Sequence, residues 1–230
     1  MWIKEINIGR LRSQEKWSAE PFRNELNSHF QSIYPLVALG NVVEIRRDSV
    51  NPQDEPDTLI NYVGLENVES LTGDLINFEP RYGREIRSRS KSFYADDVLY
   101  GRLRPYLNKV YLAFGRVSTG VCSTEFYVLV PDSQNIRPHI LRAILSSNNV
   151  LVYISNLQSG SALPRMDIGD LLRIKIPCPP FDIQLEIEDH LIQQNKYRQR
   201  IAKELAKLPQ AISDSVVYSL ETGEPLGIKG

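Results

Sequence analysis

Two adjacent acids, Asp96 and Asp97, lie in the most β-rich part of the chain and are the first residues to consider for chemistry. A nuclease site needs clustered carboxylates and a lysine to hold a divalent metal and activate water. Neighbouring residues of a strand face opposite sides, so this pair is poorly placed to share a metal, and the nearby Glu125 is not part of a Glu-x-Lys pattern. We therefore predict turn and capping roles for the two aspartates, no metal site and no catalytic residue.

A second possible chemistry pairs Cys122, as nucleophile, with one of the histidines His29, His139 and His190. Apolar residues alternate around Cys122 as in a strand, and a small buried cysteine of this kind is usually inert. We expect Cys122 to be a core residue and Cys178, which stands among prolines, to pack in the same way. Without CxxC spacing, the two cysteines indicate neither a zinc site nor a disulfide, and they favour a reducing cytoplasm.

The chain also lacks the motifs of common cofactor sites. It has no GxGxxG, no P-loop and no Asn/Asp-Pro-Pro-Tyr/Phe motif, so we expect no dinucleotide, ATP, S-adenosylmethionine or other cofactor. No window approaches the roughly 18 apolar residues of a membrane span, and the first residues lack the apolar core of a signal peptide. We expect a cytoplasmic protein with no membrane contact. Its 230 residues, 42% of them hydrophobic, suffice for one domain with an appendage.

The formal net charge of −1 hides a strong asymmetry along the chain. Between residues 44 and 79 nine acids stand against two arginines, and between residues 81 and 116 nine bases stand against three acids. Binding to nucleic acid depends on a local cationic face rather than on net charge. The most basic stretch, Arg81 to Lys91, is therefore a candidate DNA-binding segment. The alternative is a solvated loop that balances the acidic segment.

The central region predicts three strands joined by tight turns. Period-two alternation covers residues 93–100, 110–114 and 122–130, with turn residues from Gly101 to Pro105 between the first two. The predicted fold class is α+β: a mixed, mostly antiparallel β-rich domain with a few helices, followed by a long C-terminal helix that pairs with a partner helix.

Several helices are predicted around this β-rich region. An N-terminal docking helix is expected at about residues 18–30, and a second helix begins at Pro138. Residues 150–157 are compatible with either a helix or a strand. Asp167 is the expected N-cap of a short helix, and a last strand begins at Ile174.

The long helix is predicted from Asp182 to Leu208, where Pro209 ends it and leaves a tail to Gly230. Its narrow apolar stripe suits packing against a partner helix, from the same chain or another, and equally suits packing across the domain. The stripe consists of Ile183, Ile187, Leu191, Ile201, Leu205 and Leu208.

Four stretches resemble the target recognition domain of type I restriction-modification specificity subunits. The central ones are DDVLYGRLRPYLNK at 96–109 and CSTEF at 122–126. The stretches SGSALPR at 159–165 and IKIPCPPFDIQ at 174–184 resemble the exit from such a domain, where Pro-Pro leads into a long spacer helix. The resemblance implies a non-catalytic subunit that reads one half of a bipartite target in double-stranded DNA. It also implies docking of a DNA adenine methyltransferase subunit and, through it, of a restriction subunit.

Full-length members of this family carry two recognition domains and two spacer helices, whereas this chain matches one of each. We therefore predict a recognition domain at 1–180, a spacer helix at 181–208 and a tail at 209–230, with two copies pairing through the helix to read a symmetric site. The alternatives are a recognition module detached from a nuclease or methyltransferase, and a protein-interaction module that acts through its helix alone.

The predicted DNA contacts come first from residues 81–91, which are particular to this chain, and then from the turn at residues 101–109, which resembles the family. Positions shared by domains that read different sequences are better suited to the fold or to phosphate contacts than to bases. Base reading is expected from residues 81–91 and from residues 51–57. The candidate DNA-binding residues are Arg81, Arg84, Arg87, Arg89, Lys91, Arg102, Arg104 and Lys109.

Overall fold

Valine, leucine and aromatic residues dominate the short central strands, in keeping with their preference for a pleated, half-buried surface. The structure is a computed structural model that describes residues 30–157 and 164–222. The strands are β1 (Leu36–Ala38), β2 (Val43–Arg46), β3 (Ser49–Val50), β4 (Leu59–Ile60), β5 (Tyr62–Val63), β6 (Arg81–Tyr82), β7 (Ser90–Phe93), β8 (Val98–Gly101), β9 (Val110–Leu112), β10 (Gly120–Ser123), β11 (Phe126–Pro131) and β12 (Lys175–Pro177). The helices are α1 (Pro138–Leu145), α2 (Asn148–Leu157), α3 (Ile168–Arg173) and α4 (Phe181–Thr222).

The chain divides into a β-rich unit of residues 1–179 and a helical unit of residues 180–230. The predicted α+β class, mostly antiparallel and with a long C-terminal helix, is confirmed. The docking helix predicted at residues 18–30 falls, except for Phe30, outside the described residues. Within the described ranges, no helix combines the length and the apolar character needed to cross a bilayer.

Two four-stranded sheets share the core of the β-rich unit. One has the strand order β3-β7-β10-β5 and the other β2-β11-β8-β9, and β10–β5 is the parallel pair. Phe93 and Cys122 from the first sheet meet Leu99, Phe126 and Val128 from the second in one buried cluster. Burying a large apolar side chain of this kind contributes about 1.5–3 kcal/mol, so this shared cluster holds the two sheets together.

The chain crosses between the two sheets at four places. Three are short connections, the first from β2 to β3, the second from β7 to β8 and the third from β10 to β11, and a longer connection runs from β9 to β10. The third crossing shows that the single strand expected at residues 122–130 was wrong, because Thr124 and Glu125 form a turn. Ser123 Oγ accepts a hydrogen bond from Glu125 N at 3.2 Å, a local bond that competes with a strand ladder. Apolar alternation continues through the turn because β10 and β11 both supply the shared core.

A buried ion pair links the first two crossings. Arg46, at the end of β2, donates from Nε to Asp97 Oδ2 at 2.8 Å and from Nη2 to Oδ1 at 3.1 Å. The Asp97 side chain is only 2% exposed, and its Oδ2 also accepts from Tyr94 N at 2.8 Å, which confirms the predicted capping role. The hydrogen bond to Asp97 raises the pKa of Arg46. Because the carboxylate is paired with Arg46 and also accepts from a backbone N–H group, its burial is compensated.

Local signals located the remaining helices of the β-rich unit. Helix α1 packs against β8 and β9 and buries Ile140, Leu141 and Leu145, and the ambiguous segment at 150–157 lies in helix α2. Asp167 caps α3 as predicted, with its side chain accepting from two backbone N–H groups at 2.7 and 3.3 Å. Strand β12 pairs antiparallel with β1, so the end of this unit lies beside its first strand.

Helix α4 extends past the proline that was expected to end it. The prediction of a tail from residue 209 is wrong as far as Thr222, because the helix continues through Pro209. A proline inside a helix lacks an N–H and crowds the preceding turn, at a cost of about 3 kcal/mol. The helical spacing of apolar residues nevertheless continues through Leu208, Ile212 and Val216. That periodicity is the sequence signal that locates the longer helix.

Replacing Asp97 with asparagine should lower the free energy of unfolding by about 3 kcal/mol, because it leaves Arg46 without its buried countercharge. The measurement is urea unfolding followed by circular dichroism. Asp96→Asn is the matched control, since Asp96 is exposed and has a positive φ of 69°, which asparagine tolerates. We expect the control to change the free energy by less than about 0.5 kcal/mol. Equal unfolding midpoints for both variants would contradict the assigned role of the ion pair.

Candidate nucleic-acid interface

The basic segment at residues 81–91 lies directly against the acidic loop at residues 51–57. Strand β6 pairs with β4, and Gly83 N donates to Thr58 O at 3.0 Å. A Cβ at Gly83 would come within 2.2 Å of the carbonyl oxygens of Pro52 and Glu55, so only glycine allows this approach. The structure thus brings together the two segments from which base reading was predicted.

Two of the predicted DNA contacts, Arg81 and Arg84, are paired with acids of that loop and its surroundings. Arg81 Nη2 lies 3.2 Å from Glu66 Oε1, and Arg84 forms an ion pair with Asp57. Each guanidinium also lies over a tyrosine ring, 5.1 Å from the centroid of Tyr62 for Arg81 and 4.4 Å from that of Tyr82 for Arg84. A large part of the basic charge at residues 81–84 is therefore compensated within the protein.

Arg87 and Arg89 are exposed on the loop between β6 and β7. The loop is anchored on both sides, by Ile86, which is 3% exposed, and by the fully buried Ser90. Arg89 Nε donates to Ser49 Oγ at 3.3 Å, and neither arginine forms an ion pair with a described residue. A short anchored loop that carries two uncompensated guanidinium groups can present them to phosphates or to guanine edges.

An open groove of about 810 Å³ runs beside this loop, and Leu59, Phe78, Arg81 and Tyr82 are among its lining residues. Leu59 and Tyr82 are both exposed. Apolar and aromatic side chains of this kind suit contacts with thymine methyl groups or with unstacked bases. Glu79 and Glu85 also line the groove, so it combines apolar and aromatic side chains with charges of both signs.

Lys91 and Lys109, in contrast, point into the protein. Lys91 Nζ donates to Phe126 O at 2.6 Å, and Lys109 Nζ donates to Leu65 O at 2.7 Å. Burial lowers the pKa of Lys91. The structure gives both lysines a role in joining strands and loops, which differs from the DNA contact predicted for them.

The two arginines of the turn at residues 101–109, Arg102 and Arg104, have different surroundings. Arg102 Nε lies 3.4 Å from Glu125 Oε2 and the guanidinium lies 5.5 Å from the centroid of the Tyr127 ring. Arg104 is exposed and has a left-handed backbone, with φ 48° and ψ 58°. Arg102 is thus a half-buried member of a charge cluster, whereas Arg104 lies at the surface.

The apolar stripe predicted on the long helix is mostly exposed. Ile183 and Leu191 are half-buried, while Ile187, Ile201, Leu205 and Leu208 are exposed. The residues of α4 that are buried are Gln184 and Glu188. The face available to a partner therefore lies mainly in the second half of the helix.

The groups considered for catalysis are held in structural roles. Burial raises the pKa of Cys122 to about 12, so its thiol stays protonated at neutral pH and is a poor nucleophile. Asp97 is engaged by Arg46, as described above. Among residues 30–157 and 164–222, no group of three or more histidine, cysteine or acidic side chains is arranged to hold a metal ion. Cys122 and Cys178 are both free thiols, and burial also raises the pKa of Cys178.

Sequence comparison relates the chain to a specificity subunit of a type I restriction enzyme. No protein-family model matches it. Over 204 residues, which are 89% of the chain, it is 28% identical to the type I restriction enzyme EcoDI specificity subunit of Escherichia coli. The chain is similar to type I specificity subunits, as its motifs predict. It spans 44% of the length of that relative.

Solved specificity subunits share its fold. The HsdS subunit of Thermoanaerobacter tengcongensis superposes with a TM-score of 0.62 over 85% of this chain and 52% of its own, at 22% identity. A structure described as the basis of complex assembly and conformational transition of the type I restriction-modification system gives 0.62 over 87% and 53%, at 20% identity. The S subunit of M. genitalium gives 0.52 at 12% identity. At these identities the comparison establishes the fold, and the chain spans about half of each subunit.

Sequence reasoning missed Glu125 and Arg165 as members of the charge cluster around Arg102. Both residues stand in the stretches that resemble the family, CSTEF and SGSALPR, although the two stretches are far apart in the chain. The contact itself depends on strand pairing that no local pattern reveals.

Lys91→Met should lower the free energy of unfolding by about 1–2 kcal/mol, because methionine keeps the buried stem but removes the charged donor to Phe126 O. Arg87→Ala, four residues earlier on the exposed loop, should change it by less than about 0.5 kcal/mol. Urea unfolding of the two variants measures the difference. If Arg87→Ala proved the more damaging change, the division into structural and exposed cations would be wrong.

Proposed function

We propose that this chain is a sequence-specific DNA-binding specificity subunit of a type I restriction-modification system, which reads one half of a bipartite target. The observation that carries the proposal is the similarity to the EcoDI specificity subunit across nearly the whole chain. The proposed partners are double-stranded DNA, a DNA adenine methyltransferase subunit and, through that subunit, the restriction subunit. The chain is proposed to act in the cytoplasm.

The geometry of the β-rich unit supports DNA reading by the loop at residues 87–89. The loop is anchored by buried residues, and Arg87 and Arg89 are exposed beside a groove that carries Leu59 and Tyr82. Guanidinium groups suit this task because each can donate two hydrogen bonds to guanine O6 and N7. Arg81 and Arg84, which are paired with acids, are proposed to position the loop rather than to make the main contacts.

A non-catalytic role is part of the proposal. The thiol of Cys122 is buried and protonated, and Asp97 is committed to Arg46. These assignments remove the two candidate chemistries considered for the chain. Methyl transfer and strand cleavage are therefore assigned to the partner subunits.

Helix α4 is proposed to pair with the same helix of a second copy. At 100° per residue, Ile201, Leu205, Leu208 and Ile212 fall within one narrow face, and all four are exposed. An apolar face of this length is stabilised by a second helix packed along it. The continuation of α4 to Thr222 moves the proposed pairing surface beyond the range 182–208 that the sequence predicts.

The pattern on this face favours antiparallel pairing. Polar Arg198 precedes the four apolar residues and polar Ser215 follows them, so an antiparallel partner matches Leu205 with Leu208, Ile201 with Ile212 and Arg198 with Ser215. A parallel pair in register would instead place two copies of Arg198 against each other. The bases of residues 196–205 also come to lie opposite residues 208–217, which contain Asp214 and no base. Opposed helix dipoles add to the preference.

Replacing both Arg87 and Arg89 with alanine should weaken duplex binding and reduce the slope of log K against log salt by about one to two, since each phosphate contact contributes about 0.9. Fluorescence anisotropy across a range of salt concentrations measures both quantities. Arg200→Ala, an exposed arginine of the helical unit, is the control and should leave the slope unchanged. An unaltered slope in the double variant would remove this loop from the DNA contact.

Ile212→Asp should convert the dimer into a monomer, because it places a charge within the apolar face of the proposed helix pair, opposite Ile201. Sedimentation equilibrium measures the oligomeric state. Val217→Asp is a matched control, since Val217 is also exposed and apolar but lies on the opposite side of the helix. The control should remain a dimer.

Co-expression of the wild type with its methyltransferase should place methylated adenines in a two-part symmetric sequence.

A wild-type chain that stays monomeric at every concentration would contradict pairing with itself. An asymmetric methylated sequence would also contradict it, because two identical recognition units related by a two-fold axis read a palindrome. Loss of the dimer in Val217→Asp as well as in Ile212→Asp would show that the pairing surface has been placed on the wrong face.

A further inference from the structure

Charged side chains from three distant segments meet around Glu125. Arg102 follows β8, Glu125 lies in the turn between β10 and β11, and Arg165 precedes α3. Backbone pairing fixes their positions, since Arg102 N donates to Glu125 O at 2.8 Å and Met166 N donates to Arg102 O at 2.8 Å. The cluster is therefore set by the fold rather than by the chance contact of long side chains.

The charges of this cluster are not balanced. Arg165 occupies both oxygens of the Glu125 carboxylate, with Nε 3.2 Å from each oxygen and Nη2 2.9 Å from Oε1. Arg102 Nε lies 3.4 Å from the same carboxylate and makes no hydrogen bond to a described residue. Lys91 adds a third cation, which shares the Tyr127 ring with Arg102 at 5.4 and 5.5 Å from the centroid. Glu125 thus faces three cations, and Asp167 is a second carboxylate near Tyr127, so two acids stand against three bases.

Arg104 extends the cationic surface from a strained position. Its N–H donates to Pro164 O at 2.8 Å, which ties it to the residue before Arg165. An arginine in the left-handed region is disfavoured by about 1–2 kcal/mol. The turn is held by Asn108, which is buried, also has a positive φ, and donates from Nδ2 to Ser146 O at 2.7 Å. The surrounding structure therefore holds the backbone of Arg104 in the left-handed conformation, and the residue lies exposed at the surface.

We propose that Arg102, Arg104 and Arg165 form a phosphate-binding site that holds the DNA backbone, separate from the loop at residues 87–89. This inference rests on the proposed function. A duplex phosphate supplies the negative charge that Glu125 alone does not, and guanidinium groups bind phosphate oxygens through paired hydrogen bonds. Such a site fixes the position of the protein on any duplex and carries no sequence information.

The charge of Glu125 distinguishes this site from a purely structural ion pair. Glu125→Gln removes the competing carboxylate, so the affinity for a mixed-sequence duplex should rise about threefold and the salt slope should steepen. Arg165→Gln should weaken binding by about three- to tenfold on every duplex tested and make the slope shallower by about one. In a structural ion pair, both substitutions lower the melting temperature and both weaken binding.

The pair Arg173–Asp170, with Nη1 2.8 Å from Oδ1, provides controls in the same unit. Arg173→Gln and Asp170→Asn should leave the salt slope unchanged. Arg104→Gly should weaken binding without lowering the melting temperature, because glycine relieves the left-handed strain. Fluorescence anisotropy on the full chain, with thermal unfolding of each variant, measures all of these effects.

The outcomes separate this inference from the proposed function. If the wild type binds no duplex even at low salt, the proposed function itself is contradicted. If the wild type binds and depends on Arg87 and Arg89, but Glu125→Gln weakens binding or Arg165→Gln has no effect, the phosphate site is overturned while the proposed function stands.

Discussion

The buried pair of Arg46 and Asp97 is the interaction on which the arrangement of the two sheets depends. The chain passes from one sheet to the other next to each of these residues, so the pair joins two crossings, with the Asp97 carboxylate buried and the Arg46 side chain 22% exposed. A buried carboxylate without a matching cation is strongly destabilising, and a bidentate arginine satisfies it in one geometry. The charge requirement therefore fixes where the strands turn. Lys91 adds a second connection, from β7 to Phe126 O at the third crossing.

The same requirement decides which cations remain for a ligand. The sequence concentrates nine bases between residues 81 and 116, but the fold commits several of them internally. Lys91 and Lys109 donate to backbone carbonyls, and Arg81 and Arg84 are paired with acids of the preceding segment. The acidic segment thus neutralises the start of the basic one instead of repelling DNA as a separate surface. A count of basic residues overstates the charge that a protein of this kind offers to phosphates.

The features that could be predicted from the sequence are those determined by residues close together in the chain. The proline start of α1, the Asp167 cap and the α+β class rest on side chains a few residues apart, and all three are found in the structure. The turn at Thr124 was missed because apolar alternation is the same for one strand and for two strands that serve one core. The ion pairs Arg46–Asp97 and Arg165–Glu125 were missed because the two residues of each pair are 51 and 40 positions apart in sequence. The exposed loop was identified as basic, but only the fold shows which of its arginines remain uncompensated.

The left-handed residues show where the fold sustains strain at its surface. Among the described residues, five other than glycine have a positive φ, and three of them are asparagine or aspartate, which tolerate this conformation. Leu71 and Arg104 do not share that tolerance, and both adjoin Asn108, since Leu71 N donates to Asn108 O at 3.0 Å and Arg104 begins the same turn. A stable fold gains nothing from an exposed arginine in this conformation, where glycine is less strained. Strain of this kind persists where the surrounding structure enforces it and often marks a functional surface. Arg104 lies beside the unbalanced charges of Arg102 and Arg165. The strained backbone of the turn therefore supports the cationic surface that these arginines form.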